Sequence, residues 1–288
     1  MADALPSALP ESEVVRLGAR FPARGVAVGE GVQVSVRECG GGSDLPLVCL
    51  HGIGSGSASW LEVAQALAPR ARLIAWDAPG YGESTPLAVD APRGTDYAQR
   101  LRELLDALGI ARCVLVGHSL GALMAAPAAR VDSRIAALVL ISPAQGYGAP
   151  GRETERARVH AERMASLNEL GIAGMAARRS ARLVSEHASP LARQWVRWNM
   201  TRLHERGYRQ AIELLCGGDL LADLPAPVPV TVACGALDVV TPPAGCTEVA
   251  QHCGVVLESI ADAGHACYVE RPEAVAALLG RVLHSVDG

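Results

Sequence analysis

Lysine is absent from the 288 residues, so all 26 basic side chains are arginine. That absence removes chemistries built on a side-chain amine: the Walker A lysine, the pyridoxal Schiff base, the kinase strand lysine and the Ser-x-x-Lys nucleophile pair. An excess of positive charge is also missing. The net charge of −4 and pI near 6.1 offer no general attraction to a polyanion, so no nucleic-acid partner is expected. No C-x-x-C pair or Cys/His zinc spacing occurs among Cys39, Cys49, Cys113, Cys216, Cys234, Cys246, Cys253 and Cys267, and no metal site is expected. Several of them stand in apolar runs (LVCL, RCVLV, VTVACG), where a free cysteine acts as a small buried hydrophobe in a reducing cytosol. The opening MADALPSALPESE has neither a basic n-region nor an apolar core, and no apolar run approaches the ~18 residues of a membrane span. The expected setting is therefore cytoplasmic, away from membranes. What the chain has in quantity is hydrophobic residues, 50% against 19% charged, with a mean hydropathy of +0.20. Such a composition demands a packed core even with 30 glycines and 18 prolines.

Short apolar runs alternate with helical patterns from about residue 26 onward, the pattern of a mostly parallel sheet with helices on both faces. Strands are predicted near 26–28, 32–39, 46–51, 71–76, 113–117, 135–141, 228–234 and 255–260, eight in all. Most are continuous apolar runs, as suits strands buried on both sides. Helices are predicted near 60–68, 95–108, 120–130, 244–252 and 272–284. Residues 145–220 break the rhythm with an Ala- and Arg-rich helical stretch, expected to be an inserted cap. The division is then an N-terminal extension over 1–25, a core over 26–144 and 221–288, and the cap between. Residues 151–210 hold 12 Arg, 6 Glu and no Asp, so this stretch carries +6 and the rest −10. Two readings fit: solvated helix faces with Glu/Arg pairs, or a positive rim that draws in an anionic substrate or an acidic carrier protein.

After the strand run Arg112–Val116 comes Gly117-His118-Ser119-Leu120-Gly121 and then a helical pattern, which is G-x-S-x-G in a strand-turn-helix setting. The glycines permit a tight turn in which Ser119 is held in a strained conformation and projects from the sheet edge. A serine hydroxyl needs a base, and the base needs an orienting carboxylate. His265 and Asp238 both follow predicted strands, at the carboxyl end of the sheet where open α/β sheets place ligands. Asp262 is the second-choice acid, since a residue three positions from His265 on one loop cannot easily reach behind the ring. His118 is expected to face away on the elbow, His51 to order its own loop, and His160, His187, His204, His252 and His284 to be surface or structural residues. The loop His51-Gly52-Ile53-Gly54-Ser55-Gly56 follows a strand and would offer the Ile53 N–H to an oxyanion, with the Leu120 N–H as second donor. It lacks the lysine and the G-x-G-x-x-G spacing of a phosphate cradle.

These residues, with Asp77-Ala78-Pro79-Gly80-Tyr81-Gly82-Glu83-Ser84 after the fourth strand, resemble the α/β-hydrolase family over about residues 26–284. The resemblance implies an α/β-hydrolase fold with a helical cap, Ser119 as nucleophile, His265 as general base and acid, and Asp238 as its partner. A serine nucleophile argues against the dehalogenase and epoxide-hydrolase branches. The stretch His51–Trp60 is similar to the meta-cleavage-product hydrolases, which cut a C–C bond in dienones and carry H-G-x-G-P-G-A-x-x-W. Ser55 and Ser57 stand where that pattern has Pro and Ala, His118 where Asn is usual, and Ala266 where Trp is usual, departures that count against C–C cleavage. The Arg-rich cap is also similar to carboxylesterases that demethylate carrier-bound acyl chains. The expected activity is cleavage of a small ester, thioester or lactone without a cofactor, by a monomer or homodimer. C–C hydrolysis and a non-catalytic ligand receptor on the same scaffold are the alternatives. Gly52, Tyr147, Trp195 and Trp198 are candidates to line the substrate pocket, with cap packing the competing role for the aromatic three.

Overall fold

The computed structural model describes residues 8–42 and 44–287, so the first seven residues of the 1–25 extension, Ser43 and Gly288 lie outside the described residues. Its eight strands are β1 (Ala23–Gly29), β2 (Val32–Cys39), β3 (Asp44–Leu50), β4 (Ala71–Trp76), β5 (Cys113–His118), β6 (Ile135–Ile141), β7 (Val230–Gly235) and β8 (Glu258–Ile260). They form one sheet in the order β1-β2-β4-β3-β5-β6-β7-β8. β2 is antiparallel to both β1 and β4, and every other pair is parallel. The central strands are mostly apolar because helices cover both faces, and every residue of β5 is buried.

The helices are α1 (Glu11–Arg20), α2 (Leu61–Leu67), α3 (Gly94–Ala107), α4 (Gly121–Val131), α5 (Glu153–Arg179), α6 (Pro190–Thr201), α7 (Glu205–Gly217), α8 (Leu220–Asp223), α9 (Pro243–His252), α10 (Cys267–Glu270) and α11 (Pro272–Asp287). The core is split by the sheet into two clusters. One joins α3 and α4 to the sheet through Tyr97, Leu101, Leu123 and Met124, and the other joins α2 and α11 through Trp60, Val63, Leu279 and Leu283. α4 is buried from Gly121 through Ala129, which explains why its sequence shows small apolar residues without a polar stripe.

Within residues 1–25 stands α1, whose Leu17, with Phe21 just beyond it, packs into the second cluster. Three predicted strand bounds are corrected. β1 starts at Ala23 rather than 26, its outward residues being exposed and too mixed to read as a strand. The last strand is only Glu258–Ile260, since Val256 is 87% exposed and has no partner surface. The third strand begins at Asp44 rather than 46. Between β6 and β7 stand the helices α5 to α8. α5 is two helices joined at Gly171, whose φ of 61° no helix accepts. The two ends of this insertion are tied together: Tyr147 N–H donates to Leu215 C=O at 3.1 Å and Leu220 N–H to Gln145 C=O at 2.9 Å. Among the described residues no helix is long and apolar enough to cross a membrane.

Candidate active site

Ser119 sits between β5 and α4 with φ at 52°, a conformation that costs a non-glycine residue on the order of 1–3 kcal/mol. The turn holds because its neighbours are bare backbone. A Cβ on Gly117 would come within 2.7 Å of Gly121 C=O, and one on Gly52 within 2.9 Å of Ser119 Cβ. Ser119 N–H donates to Ile141 C=O at 3.0 Å, so β6 anchors the elbow.

His265 follows β8, and its Nδ1 lies 2.8 Å from Asp238 Oδ2. Both side chains are buried, and Asp238 is further held by Val240 N–H at 2.7 Å and Thr241 N–H at 3.0 Å on Oδ1. Thr241 Oγ1 stands 2.8 Å from Asp238 Oδ2 and 3.2 Å from His265 Nδ1. Burial raises the Asp238 pKa, but the hydrogen bonds and charge of His265 and the two amides outweigh it and bring it down to about 2. Asp262 is exposed and does not meet the ring. Ser119 and His265 line one cavity of about 510 Å³, which the helices of the insertion roof over. Among the described residues no hydrogen bond joins Ser119 Oγ to His265.

Ile53 and Leu120 line the same cavity, and neither amide has an acceptor among the described residues. His51 orders the loop before them: Nδ1–H donates to Gly52 C=O at 2.9 Å and Nε2 accepts from Ala78 N–H at 3.0 Å. Tyr81 Oη donates to Ile53 C=O at 3.0 Å. Gly52 and Tyr147 line the cavity, whereas Trp195 and Trp198 do not. Trp195 Nε1 donates to Glu13 Oε2 of α1 at 3.3 Å, and Trp198 lies under Arg202 and edge-on to Trp195. Trp195 belongs to the second core cluster and Trp198 packs against it, so α6 turns this face toward the core and α1 and not into the cavity.

His118 does not face away, as the elbow position had suggested. Its Nε2–H donates to His265 C=O at 2.9 Å, and its ring lies 4.8 Å from that of His265 and 4.5 Å from that of Tyr268. Its Nδ1 is buried without a partner. Burial, then the neighbouring His265, depress its pKa from 6.5 to about 3. An unfolded chain therefore binds one proton more than the native one between those values, and stability should fall as pH drops from 6.5 toward 3 by up to ~1.4 kcal/mol per unit. Asp238, depressed from 3.8, adds a further loss between about 4 and 2. Urea melts from pH 7 to 4 should show this slope, and His118→Gln should flatten it.

Glu270 escaped sequence reasoning. Its buried carboxylate accepts from Gly264 N–H at 2.8 Å on one oxygen, and from Ser185 N–H at 3.0 Å and Ser185 Oγ at 2.6 Å on the other. Ala266 N–H donates to Leu183 C=O at 2.7 Å, so the residues flanking His265 are stitched to the insertion. Glu270→Gln would turn an NH₂ toward one of these donors. We expect a loss of ~1–3 kcal/mol in a thermal melt and a lower kcat as the His265 loop loosens. Only a pairing of residues far apart in sequence reveals this carboxylate, so no local signal marks it.

The family model for the alpha/beta hydrolase family matches residues 47–278. The chain belongs to the alpha/beta hydrolase family. A 2-hydroxy-6-oxononadienedioate/2-hydroxy-6-oxononatrienedioate hydrolase of Dechloromonas aromatica is 30% identical over 126 residues, 42% of this chain and 43% of that protein. The acetyltransferase component of an acetoin cleaving system from Pseudomonas putida is 39% identical over 108 residues, 37% of this chain and 29% of that protein. The matches thus span less than half the length of these relatives. An enol-lactonase from Burkholderia xenovorans shares the fold with a TM-score of 0.79 at 24% identity, covering 90% of this chain and 99% of that one. An esterase from Thermogutta terrifontis does so with a TM-score of 0.75 at 23% identity, covering 92% and 98%.

Proposed function

We propose that the protein is a serine hydrolase of small carboxylic esters, thioesters or lactones, working through an acyl-enzyme on Ser119. The observation that carries this reading is the strained Ser119 in one cavity with His265, whose far nitrogen is engaged by buried Asp238. With Nδ1–H donated to Asp238, His265 Nε2 is free to take the Ser119 proton as Oγ attacks the acyl carbon. The tetrahedral oxyanion would be received by the Ile53 and Leu120 amides. The C–O or C–S bond then breaks, and the leaving group takes the proton from His265. Water gives its proton to the same nitrogen, attacks the acyl carbon and frees the acid, and the proton returns to Ser119. No step calls for a cofactor. A cap formed by residues 145–220 would exclude bulk water, and a cytoplasmic setting suits the free, mostly buried cysteines.

A fluorophosphonate probe tests this directly: it should label Ser119 in folded protein. Absence of labelling would overturn the reading. C–C hydrolysis of a dienone is the second reading, favoured by the 30% identity to the dienedioate hydrolase. A ring-fission dienone turned over no faster than a simple aryl ester would remove it.

A further inference from the structure

Five arginines, Arg152, Arg158, Arg163, Arg179 and Arg182, line the cavity that holds Ser119 and His265, against one carboxylate, Glu162. Two of them are engaged elsewhere. Arg152 pairs with Glu155 at 2.7 Å and donates to Gly146 C=O, and Arg158 pairs with Glu162 at 2.8 Å, which neutralises the single lining acid. The remaining three have no carboxylate partner among the described residues. Arg163 only donates to Tyr208 Oη at 3.3 Å, and Arg179 and Arg182 donate to nothing described.

Arg179 ends α5 and is half-buried. Burial lowers its pKa first, then the charges of Arg163, Arg182 and Arg178, with Tyr208 opposing them. A guanidinium so placed is costly until an anion joins it, and its planar fork suits a two-oxygen acceptor. We propose that Arg179, flanked by Arg163 and Arg182, forms a subsite for an anionic group, a carboxylate or phosphate, that the substrate carries away from its scissile carbonyl. The substrate class narrows to acyl compounds bearing such a charge, for example half-esters of dicarboxylic acids. This rests on the reading of Ser119 and His265 as the reacting pair. A cavity of about 510 Å³ is large enough for both ends of a small substrate.

The test separates binding from turnover. Ser119→Ala protein is titrated by calorimetry with monomethyl glutarate, with methyl 3-phosphonopropanoate and with uncharged dimethyl glutarate. At least one anionic probe should bind about tenfold tighter than the neutral diester, and Arg179→Leu in the same background should remove that preference. Arg182→Leu, at an exposed position that tolerates the change if Arg179→Leu misfolds, should reduce it about threefold. Equal affinities for charged and neutral probes, or a preference untouched by either substitution, would overturn the subsite. Labelling of Ser119 by the fluorophosphonate in wild-type protein is scored separately. A labelled enzyme without the anion preference loses only the subsite, and an unlabelled one that keeps the preference loses only the hydrolase reading.

Discussion

Ser119→Ala is expected to lower kcat on a 4-nitrophenyl ester by on the order of 10⁵-fold and to abolish fluorophosphonate labelling. The substitution removes the hydroxyl of Ser119 while leaving the turn intact, because alanine tolerates φ of 52° no worse than serine does. What remains is attack by water, assisted by His265 and the two loop amides. Thermal melts should coincide with those of the wild type, so that the loss reads as chemistry and not as unfolding. His265→Ala should cost several orders of magnitude as well, and His118→Ala far less, since His118 touches the His265 carbonyl rather than its reacting nitrogen. A residual activity of Ser119→Ala within tenfold of the wild type would show that the nucleophile lies elsewhere.

Asp238→Asn should reduce kcat by about 10⁴-fold with little change in KM. Asn can keep its carbonyl toward the Val240 and Thr241 amides, the partners of Oδ1. Its NH₂ then faces His265 Nδ1, where Oδ2 now stands at 2.8 Å. That contact selects the tautomer with the proton on Nε2, which cannot accept another from Ser119. The folded protein would bind substrate as before and fail at proton transfer. Asp262→Asn, on an exposed side chain, serves as the control and should leave kcat within about twofold. A smaller effect of Asp238→Asn than of Asp262→Asn, measured under saturating substrate, would reverse the assignment of the acid.

Much of the fold was legible because parallel strands covered on both faces leave continuous apolar runs, and β5 and β6 are such runs. Where burial is one-sided or local, the pattern fades: α1 was not read as an element, β1 was read only over 26–28, and β8 shrank to three residues at the sheet edge. The elbow was legible because its glycines have no substitute where a Cβ would strike backbone within 3 Å. The pairing of His265 with Asp238 could be anticipated, since both follow strands that end at the same edge. Trp195 and Trp198 could not be placed, because helical periodicity says which residues share a face and not which neighbour that face meets.

By itself the amino-acid sequence determined the order of the elements, the strained serine turn and the sign of the charge on residues 151–210, all of which are local consequences of residue type and spacing. Only the tertiary structure decided which of the arginines lie within one cavity and lack a partner, that His118 packs beneath His265, and that Glu270 binds the His265 loop to Ser185. The physical reason is that hydrogen bonds and ion pairs act over about 3–4 Å, while the residues that make them stand tens of positions apart in the chain. Their meeting is set by packing of the whole, and no window of sequence contains it.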